Sequence, residues 1–162
     1  MHLFSSCWET PPTAQPSTKV SPDEIFAALA SLETTYPGFR EWFYGSVAGG
    51  SYDERAIFVT KANDCILGIG IAKRSRTERK LCTLWTAPVA RDNGVALAIA
   101  NRAFDWLETS HPLFTVPEER ISEFQGLLKR WKFNRANTVV GYYRPNKTEY
   151  VFNGRLQREL LS

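Results

Sequence analysis

The stretch TLWTAPVARDNGVALAIANRAFDWLE, residues 83–108, passes from a short apolar run through a polar turn, Arg91-Asp92-Asn93-Gly94, into a long series of alanines and bulky apolar residues. A strand that enters a helix through a glycine-containing turn gathers unpaired backbone N–H groups and the positive end of the helix dipole at one point. Such a point holds anions, phosphates above all. The plainer reading of the same residues is a simple connection, with Asn93 capping the helix and Gly94 permitting close packing. No G-K-S/T follows the glycine, so there is no Walker A loop, and only one of the three glycines of the dinucleotide fingerprint is present.

Other chemistry is sparse. Cys7, Cys65 and Cys82 form no C-x-x-C pair, and His2 and His111 have no metal-ligand spacing, so neither a disulfide framework nor a metal site is expected. Folding a hairpin near Arg76 leaves Cys65 and Cys82 out of register by ~17 Å at ~3.3 Å per residue, beyond disulfide reach. The net charge of +3, from 20 Lys and Arg against 17 Asp and Glu, is too small to imply nucleic-acid binding without a concentrated patch. The run KRSRTERK, residues 73–80, is either such a patch or a solvated hairpin turn. No apolar run is long enough to span a membrane, and the first twenty residues lack a basic start followed by an apolar stretch, so a cytoplasmic location is expected.

The elements that position the turn follow from periodicity. Pro11, Pro12 and Pro16 among Ser and Thr mark residues 1–20 as a loosely held arm. A domain over 21–154 and a tail over 155–162 follow. SPDEIFAALASLETTY reads as a helix capped by Ser21 with Pro22 in its first turn and Ile25, Leu29 and Leu32 on one face. FREWFYGSV reads as a second, short helix. RAIFVTK and CILGIGIAK form a hairpin around Ala62, Asn63 and Asp64, and RKLCTLWT adds a third antiparallel strand. The longest helix, about 94–109, follows the queried turn. HPLFTV gives a strand, PEERISEFQGLLKRW a helix with Pro117 at its first position, and TVVGYY with TEYVFNG a terminal hairpin around Pro145 and Asn146. This order predicts an α/β (α+β) domain with a mixed, mostly antiparallel sheet of six to seven strands and helices on both faces.

PVARDNGVA resembles the acyl-CoA signature of the GNAT superfamily of N-acetyltransferases, Q/R-x-x-G-x-G/A, which Arg91, Gly94 and Ala96 match. The order of elements from Ser21 to Gly154 agrees as well, as do Pro88 and LLKRWKF, which stands where the family often has LYEKxGF. The resemblance implies a GNAT-like fold and acetyl transfer from acetyl-CoA to a primary amine, by direct transfer. It implies that the diphosphate lies on the backbone amides of Arg91, Asp92, Asn93, Gly94, Val95 and Ala96. It also implies that the pantetheine arm pairs with the backbone of Leu84, Trp85 and Thr86, and that the Leu84 N–H polarises the thioester carbonyl.

The sequence departs from the family in its side chains. The frequent helix-four Asn aligns with Ile121, the frequent Tyr acid with Leu128, and a carboxylate that serves some members as base with Lys80. Asp92 beside a diphosphate is unfavourable unless it points outward, which shifts CoA binding toward Arg91 and toward Arg74, Arg76 or Arg79. Protons then pass through water, or through replacements: Tyr142 and Tyr143 first, otherwise Glu149, Tyr150, Glu119, Ser122 or Glu123. Trp42, Phe43 and Tyr44 either shape the acceptor pocket or are core. The acceptor is an amine on a small molecule, a peptide or an aminoacyl-tRNA. Rival readings are a CoA-binding or protein-binding module without turnover, and a toxin acetylating aminoacyl-tRNA. A homodimer through an exposed last strand is also open.

Overall fold

The computed structural model describes residues 20–49 and 54–156. The expected arm lies outside them apart from Val20, and the expected tail apart from Arg155 and Leu156. Helix α1 (Pro22–Leu29) begins as its sequence dictates: the Glu24 N–H donates to the Ser21 hydroxyl at 3.2 Å and Pro22 fills the first turn. Two short helices follow, α2 (Leu32–Thr35) and α3 (Phe39–Trp42), and α3 runs on into a π-helical segment over Phe43–Ala48. Strands β1 (Glu54–Ala62), β2 (Cys65–Arg74) and β3 (Arg79–Thr86) make an antiparallel meander, turning first at Asn63-Asp64 with Asn63 at φ 53°. Helix α4 (Val95–Leu107), strand β4 (Leu113–Pro117), helix α5 (Ile121–Trp131) and strands β5 (Arg135–Val140) and β6 (Thr148–Phe152) complete the domain.

The sheet has six strands in the order β1-β2-β3-β4-β6-β5, with β3 and β4 its parallel pair. Helices cover both faces, as expected. On one face α4 and α5 close a core through Ile99, Ala103, Leu107, Phe124 and Leu128. On the other, α1 to α3 pack Ile25, Leu29, Phe39 and Phe43 against Val59, Ile69 and Ile71. Helix α4 sits close on β2 because Gly68 and Gly70 leave room. A Cβ at Gly68 would lie 2.6 Å from Ile99 Cδ1 and one at Gly70 2.5 Å from Ile99 Cγ2. Two glycines two apart on one strand face therefore fix where the N-terminus of α4 points.

Four expectations are corrected. Pro117 closes β4 rather than opening α5, and a 3-10 turn over Glu118–Arg120 intervenes. Tyr142 and Tyr143 lie beyond β5, in the loop that follows the positive-φ Gly141. The last strand, β6, is flanked by β4 and β5, so the strand with an unpaired side at that end of the sheet is β5. Cys65 is disulfide-bonded, where no disulfide was expected, whereas Cys82 is free, so those two thiols are not joined to each other. Among the described residues no helix is long and apolar enough to cross a membrane.

Candidate active site

Strands β3 and β4 run side by side only at their starts, Lys80 opposite Leu113 and Leu81 opposite Phe114, and then part. The β2–β3 ladder fixes what β3 offers to the gap. The Ala87 N–H donates to the Leu67 carbonyl at 2.9 Å, and hydrogen-bonded pairs alternate along an antiparallel ladder. Trp85, opposite Ile69, therefore turns its backbone groups into β2, while Leu84 and Thr86 turn theirs to the free edge. A β-bulge in β3 at Cys82 precedes this stretch.

The gap opens into a cleft of about 550 Å3 lined by Leu84 and Thr86, by Arg91, Asp92, Gly94, Val95 and Ala96 at the start of α4, and by one side of α5. The turn is shaped by backbone. Asp92 and Gly94 both have positive φ, 64° and 78°, and no side chain caps α4. Asn93 does not cap the helix, because its amide donates instead to the Arg91 carbonyl at 3.0 Å. The first-turn N–H groups of α4 thus face the cleft without a side-chain partner. Gly94 is needed for its φ rather than for space, since a Cβ there would meet nothing within 4 Å.

The cleft's cations are Arg91, Arg120 and Arg130. Arg120 is held by Glu123 at 3.3 Å and lies over the Phe124 ring. Arg74, Arg76 and Arg79, expected as helpers, are at the wrong end of β3. Arg74 is bound by Glu54, the Trp106 carbonyl and the Trp106 ring, and Arg76 and Arg79 are exposed at the β2–β3 turn. The basic run is consequently not one open patch: Lys73 pairs with Glu78 at 3.3 Å and Lys80 points into the fold.

Around that Lys80 a second polar group assembles, on the sheet face opposite Tyr150 and Phe152, both of which pack with the α4–α5 core. Alternation along β6 sends Glu149 the other way. Glu149 is 1% exposed and neither of its oxygens has a hydrogen-bond partner. Burial pushes its carboxyl up to about 7, against the pull of Arg144 and Lys80, while Glu119 and Glu118 push the same way as burial. The Lys80 ammonium donates to the Tyr143 hydroxyl at 3.4 Å. Burial lowers the Lys80 pKa, but Tyr143, Cys82 and Glu78 outweigh it and the amine stays above its ordinary value. Tyr143 meets Tyr36 edge-on with ring centres 5.1 Å apart, and Tyr142 meets Tyr143 at 4.7 Å. Burial and the neighbouring Glu149 hold the Tyr36 phenol above its usual range. Arg144 pairs with Glu119 at 2.5 Å, and Glu118 accepts the Thr148 N–H at 3.2 Å.

The structure therefore brings Leu84, Thr86, Arg91, Asp92, Gly94, Val95 and Ala96 to one cleft, and leaves Trp85 and Asn93 out of its lining. Tyr143 sits in the Lys80 group with Tyr142 beside it. Phe43 is core at 0% exposed, Trp42 and Tyr44 pack against that same core, and the Tyr44 hydroxyl donates to Asp23 at 2.7 Å. Sequence reasoning missed Arg120, Arg130 and Tyr36. For Arg130 a signal existed, a cation following the apolar stripe of α5, but for Tyr36 the alignment of a loop with the sheet was not readable.

No protein-family model matches the chain, and no curated protein does. Solved structures do. A spermidine N-acetyltransferase chimera from Vibrio cholerae and hSSAT superposes with a TM-score of 0.63 at 15% identity, over 88% of this chain and 94% of that one. NAA60 of Arabidopsis thaliana, solved with acetyl-CoA, gives 0.62 at 16% identity over 88% and 97%. The ribosomal-protein-S18-alanine N-acetyltransferase of Escherichia coli gives 0.61 at 15% identity over 88% and 90%. At these identities the likeness is one of architecture, and the architecture it establishes for this chain is the GNAT fold.

Proposed function

We propose that the chain is an acetyl-CoA-dependent N-acetyltransferase that moves the acetyl group directly to a primary amine in a ternary complex. The observation that carries this reading is the coincidence, in one cleft, of the Leu84 and Thr86 backbone edge with the uncapped N-terminus of α4. The amides from Arg91 to Ala96 hold the diphosphate, and Arg91 and Arg130 add charge around it. Thr86 and Leu84 pair with the pantetheine arm as an added strand would. The Leu84 N–H faces the thioester carbonyl, where one such donor is worth ~3 kcal/mol in systems from which it has been removed. Asp92 is exposed and its positive φ turns the loop there, which supports an outward carboxylate.

The solved relatives named above carry different acceptors in their names, an alanine of a ribosomal protein and spermidine, and share only the amine. An amine on a small molecule, a peptide or an aminoacyl-tRNA is accordingly the acceptor class here. Free CoA is expected to raise the melting temperature; at about one hundred times its Kd the gain is ~2.7 kcal/mol. A flat response up to millimolar CoA sinks the reading. Release of free thiol from acetyl-CoA on adding an amine separates a transferase from a module that binds CoA without turnover.

A further inference from the structure

We propose that α5 recognises the acyl donor at its nucleotide end: Arg130 binds the ribose 3′-phosphate of coenzyme A, and the bare backbone at Gly126 seats the adenine beside it. The inference rests on the reading of the chain as an acetyl-CoA-dependent transferase, and it makes the cleft selective for CoA over its 3′-dephospho form.

The cleft is longer than the diphosphate cradle. Strands β3 and β4 are parallel and each leads into its helix at the same end, so α4 and α5 run back over the sheet in the same sense. Helix α4 lines the cleft only through its first turn, Val95 to Leu97, whereas α5 lines it from Ser122 to Arg130. At ~1.5 Å per residue, that stretch of α5 makes ~12 Å of wall. A diphosphate on the amides ahead of Leu97 accounts for one end of it. The remainder is left to whatever the diphosphate carries.

That remainder has a chemistry of its own. Gly126 sits in the middle of α5, where glycine costs a helix stability relative to alanine. Packing does not require it, because a Cβ there would meet nothing within 4 Å. It leaves a bare stretch of helix facing the cleft. Leu127 beside it and Leu97 on α4, both half-buried and packed on the α4–α5 core, supply the apolar contact that suits a purine ring. The charges point the same way. Glu123 is taken by Arg120 at 3.3 Å, and Arg91 is followed directly by Asp92. Arg130 has no ion pair among the described residues and no acid within four positions on either side in the sequence. Its guanidinium is uncompensated, and a phosphate met by the planar fork is the partner such a group binds best. Coenzyme A carries pantetheine, diphosphate and then adenosine with its 3′-phosphate. The cleft offers a strand edge, an N–H cradle and then the Gly126 surface with Arg130.

The test is titration calorimetry of the full chain at low salt, with CoA and 3′-dephospho-CoA as probes. The wild type is expected to bind CoA about tenfold more tightly, the low end for charge-assisted hydrogen bonds because Arg130 is exposed and screened. Arg130→Ala should abolish that preference by weakening CoA alone, while Arg91→Ala weakens both ligands and keeps the preference. Equal affinity of the wild type for the two ligands overturns the proposal. So does an Arg130→Ala protein that loses both in proportion, since its charge would then act on the diphosphate. Gly126→Leu is expected to keep or raise the melting temperature of the free protein, leucine being the better helix former, and yet to weaken both ligands about tenfold. Unchanged affinity in that variant overturns the seating of adenine on α5. A wild type that binds neither ligand refutes the transferase reading, whereas one that binds both without preference refutes this inference alone.

Discussion

Glu149→Gln should change stability in a way that depends on pH, and the dependence can be worked out beforehand. The carboxyl lies at about 7 in the fold against an ordinary value of 4.5, so the folded state prefers the protonated form. A raised acid contributes its stability below the unfolded pKa and loses it as pH rises through the folded one. Between pH 5 and pH 8 the wild type therefore loses about 2 to 3 kcal/mol that the glutamine variant, which does not titrate, keeps. The buried amide has a cost of its own, about 1 to 3 kcal/mol if it is unsatisfied, but that cost is the same at both pH values and cancels from the difference. Urea unfolding followed by tryptophan fluorescence at the two pH values, on both proteins, yields the difference directly, and contributions from other titrating groups cancel between them. A variant-minus-wild-type gap that is the same at pH 5 and pH 8 within about 0.5 kcal/mol would refute the reasoning, because a paired carboxylate has no such dependence.

Three further outcomes follow from the cleft. Gly94→Val must place a β-branched residue at φ 78°, a strain of about 1 to 2 kcal/mol that reshapes the turn, so CoA should no longer raise the melting temperature while the apo protein still melts cooperatively. Gly70→Val drives a side chain into Ile99, 2.5 Å from the nearest methyl carbon, and is expected to lower stability by more than about 2 kcal/mol in denaturant titration, with α4 displaced and CoA affinity reduced. Arg91→Glu should weaken CoA binding about tenfold in calorimetry at low salt, with the difference shrinking as ionic strength rises, since Arg91 is exposed and screened.

Where the sequence was legible, local physics decided the outcome. Strand β3 spans Arg79–Thr86, the segment RKLCTLWT residue for residue, because charges and a polar turn bound an apolar, β-branched run. The start of α1 was equally plain from Ser21 and Pro22. The misplaced boundary at Pro117 has a physical reason: its φ of −68° and ψ of 150° suit the end of a strand as well as the entrance to a helix. Strand order was not legible, since nothing in TEYVFNG says that it inserts between β4 and the strand preceding it in sequence. The arginines that reach the cleft were misjudged for the same reason. Arg74 is close to β3 in the chain but is captured by Glu54, whereas Arg130 is distant in the chain and is brought in by α5. For Glu149 the signal was present: in TEYVF a carboxylate alternates onto the same strand face as Val151, so the two are buried together.

The cleft and the Lys80 group are built from different material. The cleft is shaped by backbone: a strand edge left unpaired after Leu81, two positive-φ residues, and helix N–H groups without a side-chain cap. Almost any side chains that preserve those dihedrals preserve that shape. The Lys80 group is made of side chains, contributed by the α2–α3 segment through Tyr36, by β3 through Lys80, by the β5–β6 loop through Tyr143 and Arg144, and by β6 through Glu149. Two of those four segments are loops, where substitution disturbs little of the core, and the other two each contribute the second residue of a strand.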